Sequence, residues 1–391
     1  MDKQRSAMQF YEQKLLNKSL ATVDDSLKTP LSIVQCADAA LDAFRLLAAE
    51  NQWAKELESV QSDNQLKERN LSDLNASDLL LERSKILGFS RPGIISANEY
   101  CHLIKTKSGW IALNLAREED WTLMPAWLEV EAIGNDWQSI KALVAIRCGR
   151  ELVARGRLMG LPVSMFDTIR SDHWYRVWKE GLPACSRESQ PLVIDLSSLW
   201  AGPLCSHLLQ RAGATVVKIE SYSRPDSTQL SAPEFHRQIN GGKMSLTLDF
   251  GKPEDIARLM ALIKKADIVI EGSRPRALRQ LGINAEQCVE QVPGLTWLSI
   301  TGYGRQSPQE NWVAFGDDAA IAGGLAVMDD YTPNFVGDAI GDPLTGIHAA
   351  VAGLIGWNSG AGSLMDVSLV GVASYVRQHI DHVKSIDLKP D

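Results

Sequence analysis

The pattern of hydrophobic and polar positions changes near residue 190. Before that point long helical stretches predominate, and residues 37–58 carry a face rich in Ala and Leu. Residues 109–115 form one compact run typical of a strand. The polar stretch at residues 181–190 predicts a boundary between a helical segment with a small α+β domain (1–185) and a second domain (191–391).

Beyond residue 190, short runs of β-branched residues alternate with helical patterns. Residues 192–196 are predicted to form a buried strand, and the helix after them places Leu204, Leu208 and Leu209 on one face before Gly213 ends it. Further strands are predicted at residues 215–220, 244–250, 267–271 and 295–301, with helices between them. This alternation predicts an α/β fold: a Rossmann-like open parallel sheet domain beside a smaller mixed α+β domain.

Charge and hydropathy narrow the classes of partner. The net charge is −8, whereas proteins that bind nucleic acid are usually basic. Residues 343–365 form the longest uncharged stretch, but the five glycines within it favour a core helix and a turn over a membrane span. The polar first residues lack the apolar run of a signal peptide. We therefore expect a cytoplasmic protein that binds neither nucleic acid nor membrane.

Cysteines and several common motifs give no support to other chemistries. The six cysteines form no CxxC pair, which indicates reduced thiols rather than a zinc or dithiol site. GxGxxG, the P-loop, GxSxG and HExxH are all absent, so NAD or FAD binding, phosphate binding by a P-loop, hydrolase chemistry and HExxH zinc chemistry are not indicated. Only His379 and His382 stand three apart, which is weak support for a metal site.

Seven short sequence segments carry a more specific signal than the motifs above, because they occur in a specific order. They are residues 192–203, 212–220, 240–246, 266–275, 299–304, 341–346 and 365–369. Their order and spacing resemble the class III CoA-transferases (the CaiB/BaiF family: formyl-CoA transferase, carnitine CoA-transferase and the α-methylacyl-CoA racemases). Residues 107–115 and 160–163 are similar to the family's small domain, which in other members follows the large one. The resemblance therefore implies a member with permuted domain order.

The resemblance implies that Asp342 is the nucleophile of a CoA-transferase (EC 2.8.3 type). Its carboxylate would attack an acyl-CoA thioester to give a mixed anhydride and then an aspartyl-CoA thioester, which a carboxylic acid acceptor resolves. Asp342 precedes Pro343 and an apolar helical run, so its side chain is expected at a helix N-terminus, which favours the ionised form. An ordinary helix cap is the alternative interpretation, and Asp338 is the nearest rival carboxylate.

The same resemblance implies a set of contacts with CoA, which is a substrate here rather than a bound cofactor. Backbone groups of the turn after the first large-domain strand would wrap the nucleotide, and basic residues at strand ends would meet its phosphates. These residues are Ser198, Leu199, Trp200 and Ala201 for the turn, and Lys218, Lys243, Arg274 and Arg279 for the phosphates. No metal is expected, and a homodimer is expected by resemblance.

Some positions depart from the family's pattern and leave two alternatives open. Trp200 is larger than the usual residue and could narrow the pantetheine channel, and Met244 replaces a common arginine. A catalytically degenerate CoA-binding homologue is therefore one alternative. The other is an acyl-CoA isomerase or racemase, but residues 310–330 contain no histidine to act as its base. Transfer is the preferred prediction.

Overall fold

The computed structural model describes residues 31–49, 51, 71–90, 92–186 and 190–387. Within them lie twelve strands: β1 (Cys101–Thr106), β2 (Gly109–Asn114), β3 (Val163–Met165), β4 (Arg176–Glu180), β5 (Leu192–Asp195), β6 (Thr215–Ser221), β7 (Met244–Leu248), β8 (Ile268–Glu271), β9 (Thr296–Thr301), β10 (Val327–Asp329), β11 (Thr332–Asn334) and β12 (Ser363–Ser368). The polar first residues and most of the predicted 37–58 helix beyond residue 49 lie outside the described residues.

Fifteen α-helices lie in the same described ranges, before, between and after the strands. They are α1 (Leu31–Ala49), α2 (Ala76–Leu87), α3 (Glu118–Thr122), α4 (Met124–Leu128), α5 (Trp137–Ala145), α6 (Gly149–Met159), α7 (Ala201–Arg211), α8 (Thr228–Ser231), α9 (Pro233–Asn240), α10 (Pro253–Ile263), α11 (Pro275–Gln280), α12 (Ala285–Gln291), α13 (Gly316–Ala322), α14 (Gly341–Ser359) and α15 (Leu369–Asp387).

The central sheet has seven strands in the order β4-β12-β9-β8-β5-β6-β7. All neighbours are parallel except β4, which runs antiparallel to β12 at one edge. In the middle, Val193 of β5 is paired with Val216 on one side and Ile268 on the other. The six parallel strands thus follow the Rossmann order, and the predicted α/β class is confirmed.

The strands at the centre of this sheet are apolar because helices cover both of their faces. Every residue of β8 and β9 is buried, as expected for parallel strands covered on both sides. The five strands predicted after residue 190 correspond to β5 to β9, with ends that differ by at most two residues. Gly213, with φ of +109°, follows α7 as predicted.

A smaller unit precedes the large sheet. Strands β1, β2 and β3 form an antiparallel sheet in that order, and the predicted strand at residues 109–115 is β2. Helices α4, α5 and α6 cover one face of it, with Trp127 and Ile140 fully buried between helices and sheet. This arrangement is the mixed α+β unit that the sequence predicts.

Helices α1 and α2 pack against the large sheet domain rather than the smaller unit. Their apolar faces, which include Leu41, Phe44 and Leu80, share one core with α7 and α14. Strand β4 also joins the large sheet, although it precedes residue 190. Two parts of the chain before the predicted boundary therefore contribute to the large domain's packing; the boundary itself stays a prediction.

Helix α14 passes through the middle of this core. Its residues are buried on all sides except at Asp342 and at the last two positions, which accounts for its uniformly apolar sequence. Gly360, with φ of +74°, ends the helix before β12. The prediction of a core helix and a turn within residues 343–365 is confirmed. In the described part of the chain, no helix combines the length and hydropathy needed to cross a bilayer.

Candidate active site

Several predicted site residues, Ser198 to Ala201 and Arg274, follow strands β5 and β8 at the carboxyl edge of the central sheet. The strand order reverses between β5 and β8, because the chain continues from β5 toward β6 and from β8 toward β9. In open α/β sheets, ligands bind in the crevice outside the strand ends at this point. Asp195 ends β5 and Glu271 ends β8, so the segments that follow these two residues line the crevice.

The loop between β5 and α7 is held in shape by two buried aspartates. Asp195 accepts hydrogen bonds from the Ser197 N–H at 2.9 Å and from the Ser206 hydroxyl at 2.5 Å. Leu199 has φ of +68°, and its N–H donates to Asp226 Oδ2 at 3.0 Å. Because a leucine rarely adopts a left-handed conformation, these bonds fix a backbone that the chain alone would not favour.

The four residues predicted to wrap CoA differ in exposure. Ser198 is exposed and Leu199 partly exposed, whereas Trp200 and Ala201 are buried. The Trp200 ring packs edge-on against Phe235 with 5.2 Å between ring centroids, so it belongs to the core. Contact between CoA and the backbone of this loop stays a prediction.

Lys218 and Lys243, predicted to meet phosphates, have buried ammonium groups. Lys218 Nζ donates to the Ser197 carbonyl and lies 3.9 Å from Asp195 Oδ2. Lys243 Nζ donates to the Pro203 carbonyl at 2.9 Å. This geometry does not support a direct phosphate contact by either lysine; both hold the loop between β5 and α7 in place.

The two predicted arginines also differ. Arg279 forms ion pairs with Glu286 at 3.1 Å and Glu310 at 3.0 Å, so its guanidinium is already occupied. Arg274 is partly exposed, and its guanidinium has no ion pair or hydrogen bond with the side chains or backbone of the described residues. Partial burial lowers the pKa of Arg274, and the charge of Arg276 lowers it further. Arg274 is therefore the predicted cation that is left open to an anionic ligand.

The positive charges of three other arginines act on Arg274, and the four residues are here called the arginine cluster: Arg117, Arg224, Arg274 and Arg276. Arg117 comes from the smaller unit and is held by Asp120 at 2.6 Å. The others follow strands β6 and β8 at the carboxyl edge of the sheet. Such a concentration of positive charge favours binding of a polyanion. Arg117, Arg224 and Arg276 were not predicted from the sequence; the positions of Arg224 and Arg276 shortly after strands were the available signal.

Asp342 lies at the start of α14, as predicted, and is partly exposed. Its carboxylate accepts a hydrogen bond from the Gly316 N–H at the start of α13. A Cβ on Gly316 would lie 2.6 Å from Asp342 Oδ2 and 2.3 Å from the Ala339 carbonyl oxygen. Only glycine permits this approach, so the two helix starts fix the carboxylate between them.

The first turns of α14 also contact the start of α7. A Cβ on Gly346 would lie 2.7 Å from the Ala201 carbonyl oxygen, so the two helices touch along their backbones. Asp342 is one helical turn before this contact. The chain thus places the candidate nucleophile beside the helix whose preceding loop borders the crevice.

Burial raises the pKa of Asp342 to about 6, and the charge of Asp338 acts in the same direction. The Arg83 guanidinium and the Gly316 N–H lower it, without cancelling the effect of burial. The expected stabilisation of the ionised form by the helix N-terminus is thus outweighed. A carboxylate with this pKa is largely ionised at neutral pH and more basic than an ordinary aspartate, which suits nucleophilic attack.

Three further aspartates surround Asp342, and all three are buried. Burial, together with the charge of Asp338, raises the pKa of Asp317 to about 7. Asp318 accepts a hydrogen bond from the Phe315 N–H at 2.8 Å. Asp338, the rival nucleophile, is fully buried in a two-point ion pair with Arg83, so Asp342 is the more accessible carboxylate. Among the described residues, no cluster of His, Cys, Asp and Glu side chains could hold a metal ion.

Arg83 is a further functional candidate that was not predicted from the sequence. It lies on α2, far from the seven segments in sequence, and none of the motifs includes it. Its guanidinium reaches both Asp338 and the face of the Trp200 ring. A single arginine in an amphipathic helix gives no signal of such a role.

Comparison with known proteins agrees with the resemblance. The succinyl-CoA–D-citramalate CoA-transferase of Chloroflexus aurantiacus is 29% identical over 195 residues, which are 45% of this chain and 48% of that protein. The succinate–glutarate CoA-transferase of Agrobacterium fabrum is 31% identical over 206 residues, 47% of this chain and 51% of that protein. The chain spans about half the length of these curated relatives.

Among solved structures, a CaiB/BaiF family protein from Brucella suis aligns with a TM-score of 0.46 and 26% identity, over 51% of this chain and 58% of that one. The sequence profile of the CoA-transferase family III matches residues 189–383. The predicted homodimer and cytoplasmic location stay predictions. Through residues 189–383, the chain belongs to CoA-transferase family III.

Proposed function

We propose that this protein transfers CoA between an acyl-CoA thioester and a carboxylic acid, with Asp342 as the nucleophile. The observation that carries the proposal is the position of Asp342: a partly exposed residue at the start of α14, one helical turn before the contact between α14 and α7. Its family and its relatives' names support the reaction class.

The proposed reaction proceeds by acyl exchange on the carboxylate. An Asp342 oxygen attacks the thioester carbonyl, the C–S bond breaks, and CoA leaves as a thiolate. The thiolate then attacks the Asp342 carbonyl carbon of the mixed anhydride, which releases the donor acid and leaves an aspartyl-CoA thioester. The acceptor carboxylate attacks this thioester, which releases the CoA thiolate and forms a second mixed anhydride. The thiolate then attacks the acceptor's acyl carbon of that anhydride, which gives the acceptor acyl-CoA and frees the Asp342 carboxylate. Each step exchanges one acyl bond for another, so no redox partner is needed.

The direct experiment is an exchange assay with a defined donor and acceptor. Because one relative is named for succinyl-CoA and D-citramalate and another for succinate and glutarate, succinyl-CoA with labelled glutarate is the first pair to test. Formation of labelled glutaryl-CoA supports the proposal. If the protein binds CoA but exchanges no acid from a panel of short mono- and dicarboxylates, it is the degenerate homologue. Deuterium incorporation at Cα without exchange indicates an isomerase or racemase.

The rate of transfer is expected to rise with pH through about 6, the pKa of Asp342. Only the ionised carboxylate attacks, so kcat/KM should fall about tenfold per unit below that pKa and level off above it. The measurement is kcat/KM for succinyl-CoA between pH 4.5 and 8.5, with protein stability checked at each pH. A rate that is flat from pH 4.5 to 7 would contradict the role of Asp342.

The arginine cluster is proposed to bind the phosphates of CoA. Arg274→Ala is expected to weaken CoA binding roughly tenfold or more, because a hydrogen bond to a charged group contributes about 1.5–3 kcal/mol. Calorimetry with CoA and with 3′-dephospho-CoA measures the effect and shows which phosphate is involved. Arg258→Ala removes an exposed arginine of α10 and serves as the matched control. Equal CoA affinity for wild type and Arg274→Ala would exclude this role.

A further inference from the structure

Arg83 connects an N-terminal helix to the turn that precedes the candidate nucleophile. Its Nε donates to Asp338 Oδ2 at 2.7 Å and its Nη2 donates to Asp338 Oδ1 at 2.5 Å. Asp338 is fully buried, and only 16% of the Arg83 side chain is exposed. A planar two-point pair of this kind fixes the direction of both side chains as well as their separation.

The turn that Arg83 holds leads directly into α14. Ala339, next to Asp338, has φ of +42°, an unfavourable conformation for a residue with a side chain. Its N–H donates to Asp317 Oδ1 at 3.0 Å, and its carbonyl accepts from the Asp342 N–H at 2.8 Å. The pair between Arg83 and Asp338 therefore supports a strained turn whose next hydrogen bond is made by Asp342 itself.

The same guanidinium contacts the end of the loop between β5 and α7. Arg83 Cζ lies 4.6 Å from the centroid of the Trp200 ring, which is within the range of a cation–π interaction. Trp200 is the last residue before α7, at the end of the loop that Asp195 and Leu199 shape. One side chain thus touches both segments that must meet during transfer: the nucleophile's turn and the end of the crevice loop.

We infer that Arg83 is a positioning residue of the active site, which holds the turn before Asp342 at a fixed distance from the loop that ends at Trp200. This inference rests on the proposed function. It also assigns a role to the N-terminal helical segment, because α2 lies outside residues 189–383 that match the family. In addition, the Arg83 charge lowers the pKa of Asp342 and so favours its ionised form.

The test compares Arg83→Gln and Arg83→Lys with Lys85→Ala, an exposed position on the same helix. Arg83→Gln is expected to lower kcat roughly tenfold to a hundredfold, with a much smaller change in KM for succinyl-CoA. It should also move the midpoint of the pH profile, which reports the ionisation of Asp342, to a higher pH. Arg83→Lys keeps the positive charge but cannot make the two-point hydrogen bond to Asp338. The midpoint of its pH profile should therefore stay near that of wild type, while kcat still falls. Lys85→Ala should match wild type.

A second variant separates positioning from folding. Arg83→Gln alone leaves Asp338 buried without its partner, so it can destabilise the protein. The double variant Arg83→Gln/Asp338→Asn removes both charges and should fold, but its kcat should stay at least roughly tenfold below wild type. A double variant with wild-type kcat, an Arg83→Gln variant with unchanged kcat, or an Arg83→Gln variant with an unchanged pH midpoint would each overturn the inference.

A readout without turnover distinguishes this inference from the proposed function. Carbodiimide labelling of Asp342 with an amine, followed by peptide mass spectrometry, reports the pH at which its carboxyl ionises. A higher midpoint in Arg83→Gln than in wild type supports the inference even if no exchange is detected, in which case only the proposed reaction fails. An identical midpoint in both proteins overturns the inference even if wild type transfers CoA.

Discussion

Asp342→Asn should abolish CoA transfer while leaving the fold and CoA binding intact. The amide keeps the size and the hydrogen bond to the Gly316 N–H but cannot attack a thioester. Loss of a covalent nucleophile typically lowers kcat roughly 10⁴-fold or more. The exchange assay measures the loss, and calorimetry with CoA checks that binding survives.

Chemical trapping gives the same prediction a direct readout. Wild type incubated with succinyl-CoA and then borohydride should carry a reduced residue at position 342, because an aspartyl thioester is reduced to homoserine. Asp329→Asn, which changes an exposed aspartate on β10, is the matched control and should exchange and trap like wild type. Exchange activity in Asp342→Asn within tenfold of wild type would rule out the proposed covalent mechanism.

Asp195→Asn should lower the free energy of unfolding more than any other single substitution proposed as a test. The Asp195 carboxylate lies 3.5 Å from Lys243 Nζ and 3.9 Å from Lys218 Nζ, and all three side chains are buried. Removal of one partner of a buried ion pair costs about 3–5 kcal/mol, because the remaining charges have no compensation. Urea unfolding followed by tryptophan fluorescence and circular dichroism measures the change in the free energy of unfolding.

The control for Asp195→Asn is a carboxylate in an exposed ion pair. Glu234 pairs with Arg237 on the surface of α9, so Glu234→Gln should change stability by less than about 1 kcal/mol. A change of that small size in Asp195→Asn would contradict the structural role given to the buried pairs. Asp195→Asn should also weaken CoA binding, since the same carboxylate holds the loop that ends at Trp200.

The stabilisation by Asp195 has a defined dependence on pH. Burial raises the pKa of Asp195, but Lys218 and Lys243 outweigh it and lower the pKa from 3.8 to about 2. A group with a lowered pKa in the folded state stabilises the fold at pH values above its unfolded pKa. Its contribution is therefore complete above about 4 and is lost as the pH falls through about 2.

The large domain could be predicted from sequence because its signals are local. Strands β5, β8 and β9 are short buried apolar runs between helical patterns, so the alternation indicates the parallel sheet even though β7 at its edge is mostly exposed. Strand β4 gave no such signal, because all of its residues are exposed at the sheet edge. The packing of α1 and α2 against α14 was not predictable either, since an amphipathic helix does not specify which surface it covers.

The site was predictable only where residues lie within recognisable segments. The role of Asp342 was predicted from the family-like segment at residues 341–346 and from the helix start that Pro343 indicates. Arg83 could not be found in this way, because 255 residues separate it from Asp338. The buried positions of Lys218 and Lys243 were also missed, since a lysine at a strand end has the same local sequence whether it faces solvent or a buried carboxylate.

The antiparallel pairing of β4 with β12 has a consequence for how the large domain is protected. Without β4, the backbone N–H and C=O groups along one side of β12 would be open to pairing with another chain. Lysine and glutamate side chains on β4 now face water there instead. The part of the chain before residue 190 thus covers a sheet edge that could otherwise pair with other chains. Cleavage of the link between β4 and β5 would weaken the pairing of β4 with β12, although all seven family-like segments would stay intact.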